Sequence, residues 1–463
     1  MATPNLDIHE RGSGMISSQP SHTEVSTCDK DISKTLDNAR KVVAGTVHDL
    51  ESDLTKLSLD IHSHPEIGYE EKFAHDTISD FLEKQGFKVK RHAYGLDTSF
   101  EAESGSGGHL IVYCAEYDAL PGIGHGCGHN LIAMSSVSGF IATARALKDS
   151  GKPGRVRILG TPAEEGGGGK VKLLEAGAFK DNVAAAIMVH AVPQHSFAKG
   201  YSGTSGFRTL ASRRFRVMFH GVSSHAGAQP WGGRNALDAA VGAYATLSML
   251  RQQIHPMERI NAVIENGGVV PNIIPDYACM AFGVRSHNSQ TADALYDRVK
   301  QCIDAGAIAS GCKTEYETAI PYTDLKVNDV LCKAYNEEME IVGEKILIRD
   351  PEQSAAGTDM GNVSHEIPGF HGVFGIPTAP GVPPHHSDFC EAAKQPEAQT
   401  AALKASRGMA MMAIRVLLYP GMADRVKENF NNAEEEDYSS VNAEKSSGGS
   451  RNQLSDEDEH TCC

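Results

Sequence analysis

Four side chains that can bind a metal ion, Asp118, His125, Cys127 and His129, fall within twelve residues of the stretch CAEYDALPGIGHGCGHN. Glycines at 122, 124, 126 and 128 alternate with them, which lets the backbone wrap closely around an ion. A second chemical centre is Glu164-Glu165, which precedes Gly166 to Gly169. Adjacent residues of an extended segment point in opposite directions. One carboxylate can therefore face a metal while its neighbour faces a reacting water, a route to a nucleophile at neutral pH. The same pair also reads as a solvated acidic loop. His190 ends an apolar run, where a histidine also reads as a capped core residue. The pair His385-His386 follows the proline-rich PGVPP, and His225 lies in VSSHAGAQP.

The elements that must hold these groups are legible around them. An apolar strand over 109–115 enters the glycine corner. Beyond it Leu131, Met134, Val137 and Ile141 mark one side of a helix. A strand over 155–160 runs into TPAEEGGGGK, and a strand over 184–189 runs into His190. Cys127, His129, Glu165 and His190 thus all lie at strand ends, and in an open α/β sheet such ends converge on one crevice. Thiolate, imidazole and carboxylate together form a borderline-soft donor set, suited to Zn²⁺ and also to Mn²⁺, Co²⁺ or Ni²⁺. Donors drawn from several separate loops indicate a catalytic rather than a structural site.

Strands alternate with helices up to about residue 200, which predicts an α/β fold with a mainly parallel sheet and helices on both faces. Between 207 and 323 the order becomes strand-helix-strand-strand-helix-strand, a ferredoxin-like α+β arrangement inserted as a second domain. His225 lies in this insertion, where it is either a surface histidine or a donor to a developing oxyanion once domains or subunits close. The expected organisation is a catalytic domain at 39–206 and 324–426, interrupted by the insertion, with disordered segments at 1–38 and 427–463.

Composition narrows the class. The net charge of -16 over 463 residues disfavours nucleic acid and anionic membranes as partners. No apolar run approaches the roughly 20 residues of a membrane helix, and the N-terminal segment lacks the features of a signal peptide. The ten cysteines show no framework spacing, which points to reduced thiols and a cytoplasmic location. The terminal pair Cys462-Cys463 resembles a prenylation signal in isolation, but nothing else in the chain accompanies it.

The segments HSHPEIGYEE, EYDALPGIGHGCGHN, TPAEEGGGG, VHAVP, SSHAGAQPWGGRNALDA, GGVVPNIIPD, GTDMGNVS and PHHSDF occur in that order. Through them the chain resembles the aminoacylase/carboxypeptidase-type metallopeptidases of clan MH, from about residue 40 to 420. It is most similar to the amidohydrolase branch that includes aminobenzoyl-glutamate hydrolases, auxin-conjugate amidohydrolases and Xaa-Arg dipeptidases. The resemblance implies two divalent metal ions, zinc first among them, held by Cys127, His129, Glu165, His190 and His386. It implies Glu164 as general base and acid, and His225 in substrate binding and oxyanion stabilisation, with the inserted domain mediating a homodimer. Asn272 and Arg285 are candidates for gripping a substrate carboxylate, since Arg offers a bidentate fork. The expected activity is hydrolysis of the amide bond of small N-acyl amino acids or dipeptides. The alternatives are a lyase or deaminase on the same scaffold, or a catalytically silent binding protein.

Overall fold

A computed structural model describes residues 27–433 of the chain. Six strands belong to its first part: β1 (Val89–Arg91), β2 (Phe100–Ser106), β3 (Leu110–Ala115), β4 (Gly154–Gly160), β5 (Val183–Pro193) and β6 (Gly203–Thr204). The helices among them are α1 (Thr27–Ser63), α2 (Lys72–Lys84), α3 (His129–Ser150) and α4 (Gly169–Glu175). The middle part holds β7 (Ala211–His220), α5 (Ala236–Leu250), β8 (Arg259–Asn266), β9 (Tyr277–Ser286), α6 (Ser289–Ser310) and β10 (Lys313–Thr318). The last part holds α7 (Asp329–Ile341), β11 (Ile346–Leu347), α8 (Met360–Glu366), β12 (Gly369–Ile376), α9 (Ser387–Ala393), α10 (Pro396–Leu418) and α11 (Met422–Asn432).

Among the described residues these strands form two sheets. The larger has the order β1-β2-β4-β3-β5-β12-β6-β11. Its centre, β4-β3-β5-β12, is parallel throughout. β3 (LIVYCA) and β12 (GFHGVFGI) are buried along their whole length, as expected of strands covered on both faces by helices. One face packs against α1, α3 and α10 through a core that includes Leu54, Ile61, Tyr113, Phe140, Ile187 and Met409. The other face packs beneath α4 and α8 through Leu173, Met188, Met360 and Val363. The smaller sheet is wholly antiparallel in the order β10-β7-β9-β8. α5 and α6 pack on it, with Phe215, Val217, Leu247, Leu295 and Ile303 in a separate core. This is the mainly parallel sheet with an α+β insertion that the alternation of elements predicts.

Two element boundaries differ from expectation. α1 begins at Thr27 rather than near residue 38, and α11 continues to Asn432 rather than yielding to disorder at 427. Val43, Val47, Leu50 and Leu54 bury one side of α1, and Leu36 and Ala39 carry that stripe toward its start. The expectations for residues 1–26 and 434–463, including Cys462-Cys463, lie outside the described residues. No described helix is long and apolar enough to cross a membrane.

Candidate metal centre

β3 sits between β4 and β5 with all three parallel, so the loops after them open into one crevice. The chain leaves β3 at Ala115 and reaches Glu116 and Asp118, both buried. The following loop is pinned by Ala119, whose N–H donates to Glu66 O at 2.8 Å. Gly128 then takes a left-handed conformation (φ 79°) and caps α3, whose first residue is His129. A Cβ on Gly128 would stand 3.2 Å from that of Ala191. Glycine here therefore lets the corner seat against β5.

Asp118 joins the two principal loops. Its Oδ1 stands 3.0 Å from His129 Nδ1, and its Oδ2 accepts the N–H of Glu165 at 2.9 Å. With Nδ1–H donating to Asp118, the His129 Nε2 lone pair faces inward. It lies 3.7 Å from Glu116 Oε2 and 3.9 Å from Glu165 Oε1. Burial alone would lower the His129 pKa, but Asp118 and Cys127 outweigh it and raise it above the usual range, so a cation binding at Nε2 displaces a proton.

His190, near the end of β5, donates from Nδ1 to Ala191 O at 2.7 Å. Its Nε2 is thereby left facing Cys127 Sγ at 3.4 Å. Glu165 Oε1 lies 3.3 Å from His385 Nε2. Burial raises the Glu165 pKa, but His385 and His129 outweigh it and bring the carboxyl down to about 2. His386, the residue that the resemblance implies as ligand, stands elsewhere. Its Nδ1 accepts the N–H of Asp388 at 3.1 Å and caps α9, and its side chain is half exposed. The cause is local: His385 takes a left-handed backbone (φ 63°) and donates its N–H to Gly126 O at 2.8 Å. That turn directs His385, not His386, to the crevice.

Glu164 is buried beside this group. Its carbonyl accepts the Tyr322 hydroxyl at 2.6 Å, and Ala163 before it (φ 58°) donates its N–H to Glu71 Oε1 at 2.8 Å. Burial pushes the Glu164 pKa well above the carboxylate range, and the charges of Glu116 and Glu165 push it the same way. Such a carboxyl favours taking up a proton.

The donor set has the geometry to hold a metal ion. Cys127, His129 and His190 bring ligand atoms within 4.8 Å of one another, and so do Cys127, Glu165 and His385. His129 Nε2 is buried without a hydrogen-bond partner. A buried polar atom left unpaired is costly, and a cation held among these donors would satisfy it. Burial also raises the Cys127 thiol pKa, and a coordinated cation is what would hold it as thiolate. Thiol, imidazole and carboxylate fit a divalent ion such as zinc, manganese, cobalt or nickel.

The remaining candidates lie on the smaller sheet and its loops. His225 is exposed and bridges to Ile273, and Ala226 N–H donates to Asn272 O at 3.0 Å. These two are thus neighbours of each other and make no contact with the donor cluster. Arg285, on β9, donates to Ala355 O at 2.9 Å. Its pKa is lowered by burial and by Arg214, while Glu164 acts in the opposite sense. Sequence reasoning missed several members of the crevice. Lys170 and Asp359 stand there fully buried, and Arg214 Nη1 donates to Glu165 O at 3.3 Å. Lys170 directly follows the glycine run, and that adjacency to the acidic pair was the available signal. Asp359 lies in GTDMGNVS, one of the segments that carry the resemblance, and that was its signal.

Residues 112–405 match the family described as Peptidase family M20/M25/M40. The chain is 36% identical over 414 residues to the Xaa-Arg dipeptidase of Mus musculus, covering 85% of this chain and 93% of that protein. It is 37% identical over 401 residues to the Xaa-Arg dipeptidase of Homo sapiens, covering 81% and 88%. A dinuclear metal binding peptidase of Bacillus subtilis superposes with a TM-score of 0.60 at 23% identity, over 80% of this chain and 99% of that one. An aminobenzoyl-glutamate utilization protein of Klebsiella pneumoniae superposes with a TM-score of 0.63 at 18% identity, over 81% and 99%. With the fold, the donor cluster and the match in agreement, the chain belongs to the M20/M25/M40 peptidase family and is a hydrolase of amide bonds.

Proposed function

We propose that the protein cleaves dipeptides, with Glu164 as the general base and two divalent ions, zinc first among them, held by Cys127, His129, Glu165, His190 and His385. The observation that carries this reading is the position of Glu164. It is buried, and its carboxylate lies within 4.8 Å of ligand atoms of His129 and Glu165. The ions, when bound, polarise the scissile carbonyl and make water a stronger acid. Glu164 takes the proton of the attacking water and later delivers it to the leaving amine. Asp118 and the Ala191 carbonyl fix the two imidazole tautomers.

Arg285 and Asn272 supply contacts to the substrate carboxylate, and His225 donates to the developing oxyanion. This division of labour treats 39–206 with 324–426 as the catalytic domain and 207–323 as a lid. The lid also supplies a dimer contact. β8 is an edge strand of its sheet, and Val263 on it, with Tyr244 and Met249 on α5, is exposed. An unpaired edge beside apolar side chains favours pairing with a second copy. Cys114, Cys127, Cys279, Cys302, Cys312, Cys332 and Cys390 are free thiols, which suits a reducing, cytoplasmic setting.

The similarity to the two Xaa-Arg dipeptidases favours a basic C-terminal residue in the substrate. The test is a panel of dipeptides and N-acyl amino acids offered to the zinc- or manganese-loaded protein, with products separated by chromatography. Hydrolysis of dipeptides ending in arginine or lysine is expected to dominate. Failure to hydrolyse any member of the panel overturns the reading.

A further inference from the structure

A second group of donors lies against the first and is filled from within the chain. Glu116, Glu164 and Asp359 each offer a carboxylate oxygen, the three within 4.8 Å of one another, and all three residues are buried. An all-oxygen set of this kind suits a hard divalent cation such as Mn²⁺ or Mg²⁺. In place of one stands the ammonium of Lys170. Its Nζ donates to Glu116 Oε1 and, at 2.5 Å, to Asp359 Oδ1, while its backbone N–H donates to Asp359 Oδ2 at 2.9 Å. Glu164 receives no hydrogen bond from it. Glu116 keeps its other oxygen, Oε2, buried and unpartnered beside His129 Nε2.

The glycine run explains how a lysine reaches this point. Gly168 is left-handed (φ 63°) and caps α4, and a Cβ on Gly169 would strike Pro162 O at 1.8 Å. The chain therefore folds back on itself and sends Lys170 inward beneath the acidic pair. Burial alone would lower the lysine pKa, but Asp359 and Glu116 hold it well above the ordinary value. A lysine is almost never fully buried unless it is paired. A buried ion pair is by itself weak evidence of a stabilising role, so this cluster calls for another account.

We propose that Lys170 is a positioning residue that occupies a cation site in the crevice and keeps a divalent ion off Glu164. A metal ion in that place would draw the Glu164 carboxylate into its coordination sphere, and a ligated carboxylate is a poor proton acceptor. An ammonium carries one charge and three donors. It satisfies two carboxylates and leaves the third free to work. This inference rests on the reading of Glu164 as base.

The test replaces Lys170 with Met and, separately, with Gln, which can still hydrogen-bond to both carboxylates. Each full-length variant is saturated with Mn²⁺, desalted and counted for metal, and turnover is followed as Mn²⁺ is added further. Both variants should hold about one more Mn²⁺ per chain than the unaltered protein, with turnover falling at least about tenfold as that ion binds. Lys170→Arg should keep the unaltered count. Adding Asp359→Asn to Lys170→Met should remove the extra ion. A folded Lys170→Met or Lys170→Gln protein with the unaltered count overturns the proposal. Failure of both to fold overturns it too, because the lysine is then a structural counter-charge. Glu164→Gln is assayed alongside. If it retains turnover, the base assignment fails, while the metal count still decides what Lys170 does.

Discussion

Asp118 holds His129 with one oxygen and the backbone of Glu165 with the other, at 3.0 and 2.9 Å. One buried carboxylate thus sets the spacing between the loop after β3 and the loop after β4. It also selects the His129 tautomer whose lone pair faces the cluster. Asn in its place could still accept from Glu165 through its oxygen. Its amide nitrogen could not accept from His129, and the ring would lose its orientation. Asp118→Asn should therefore lower metal affinity by about 10–100-fold, the usual effect of removing such a partner. Competition with a chelator of known affinity measures this. Unchanged affinity would show that the corner holds its shape without the carboxylate.

The two adjacent histidines give a sharper contrast. Both side chains are about half exposed, but His385 faces Glu165 at 3.3 Å whereas His386 accepts the Asp388 N–H. His385→Ala should lower metal content and abolish most turnover. His386→Ala should keep its metal and lose about 1 kcal/mol of stability as a removed helix cap. The reverse pattern in metal analysis would return the ligand role to His386.

Glu71 links pH to stability. Its carboxylate accepts from Thr98 and from the N–H of Ala163, and burial raises its pKa from 4.5 to about 7. A carboxyl with a raised folded-state pKa binds more protons folded than unfolded between those values. Stability therefore falls as pH rises from 4.5 to 7, by roughly 3 kcal/mol at most. Gln can accept from Ala163 through its oxygen and donate to Thr98 through its amide. Glu71→Gln should match the unaltered protein near pH 4.5 and exceed it above pH 7. Thermal melts of both proteins across that range, metal-free, decide the matter. Parallel curves would mean that Glu71 does not titrate there.

Much of this was legible because the fold and the chemistry share one signal. The apolar runs at β3, β4 and β5 end in the very residues that can bind metal, so strand and site were read together. β2 was not foreseen. Its sequence FEAESGS turns to Gly and Ser at the point where alternation would have declared it, yet its pairing with β4 carries it onward. His385 and His386 could not be separated by residue type, since only the left-handed turn at His385 distinguishes them. Lys170 and Asp359 are 189 positions apart in sequence. Neither alone reveals a buried ion pair, because a lysine after a helix cap and an aspartate before a helix are ordinary on a surface. The short contacts that join loops distant in sequence were the illegible part.

His225 is preorganised as a donor, and this leads to the last prediction. Its Nδ1 accepts the N–H groups of Gly227 and Ala228, at 3.1 and 3.0 Å. The ring proton must then sit on Nε2, and the side chain is exposed. An exposed donor held in one tautomer has no partner within its own loop and is suited to meet an oxyanion once another surface covers it. A hydrogen bond made mainly to the tetrahedral intermediate lowers the barrier without tightening ground-state binding. His225→Ala should keep its full metal content and lose about 10²–10³ in kcat, with KM little changed. If the donor acts across a dimer, mixing His225→Ala with Glu164→Gln subunits should restore part of the activity, because one site of each mixed dimer receives both an intact base and an intact donor. Exchange of subunits is first shown by mass. Restored activity after exchange places His225 in its partner's site. Exchange without restored activity places it in its own chain's site, and an unchanged kcat in the single variant removes it from catalysis.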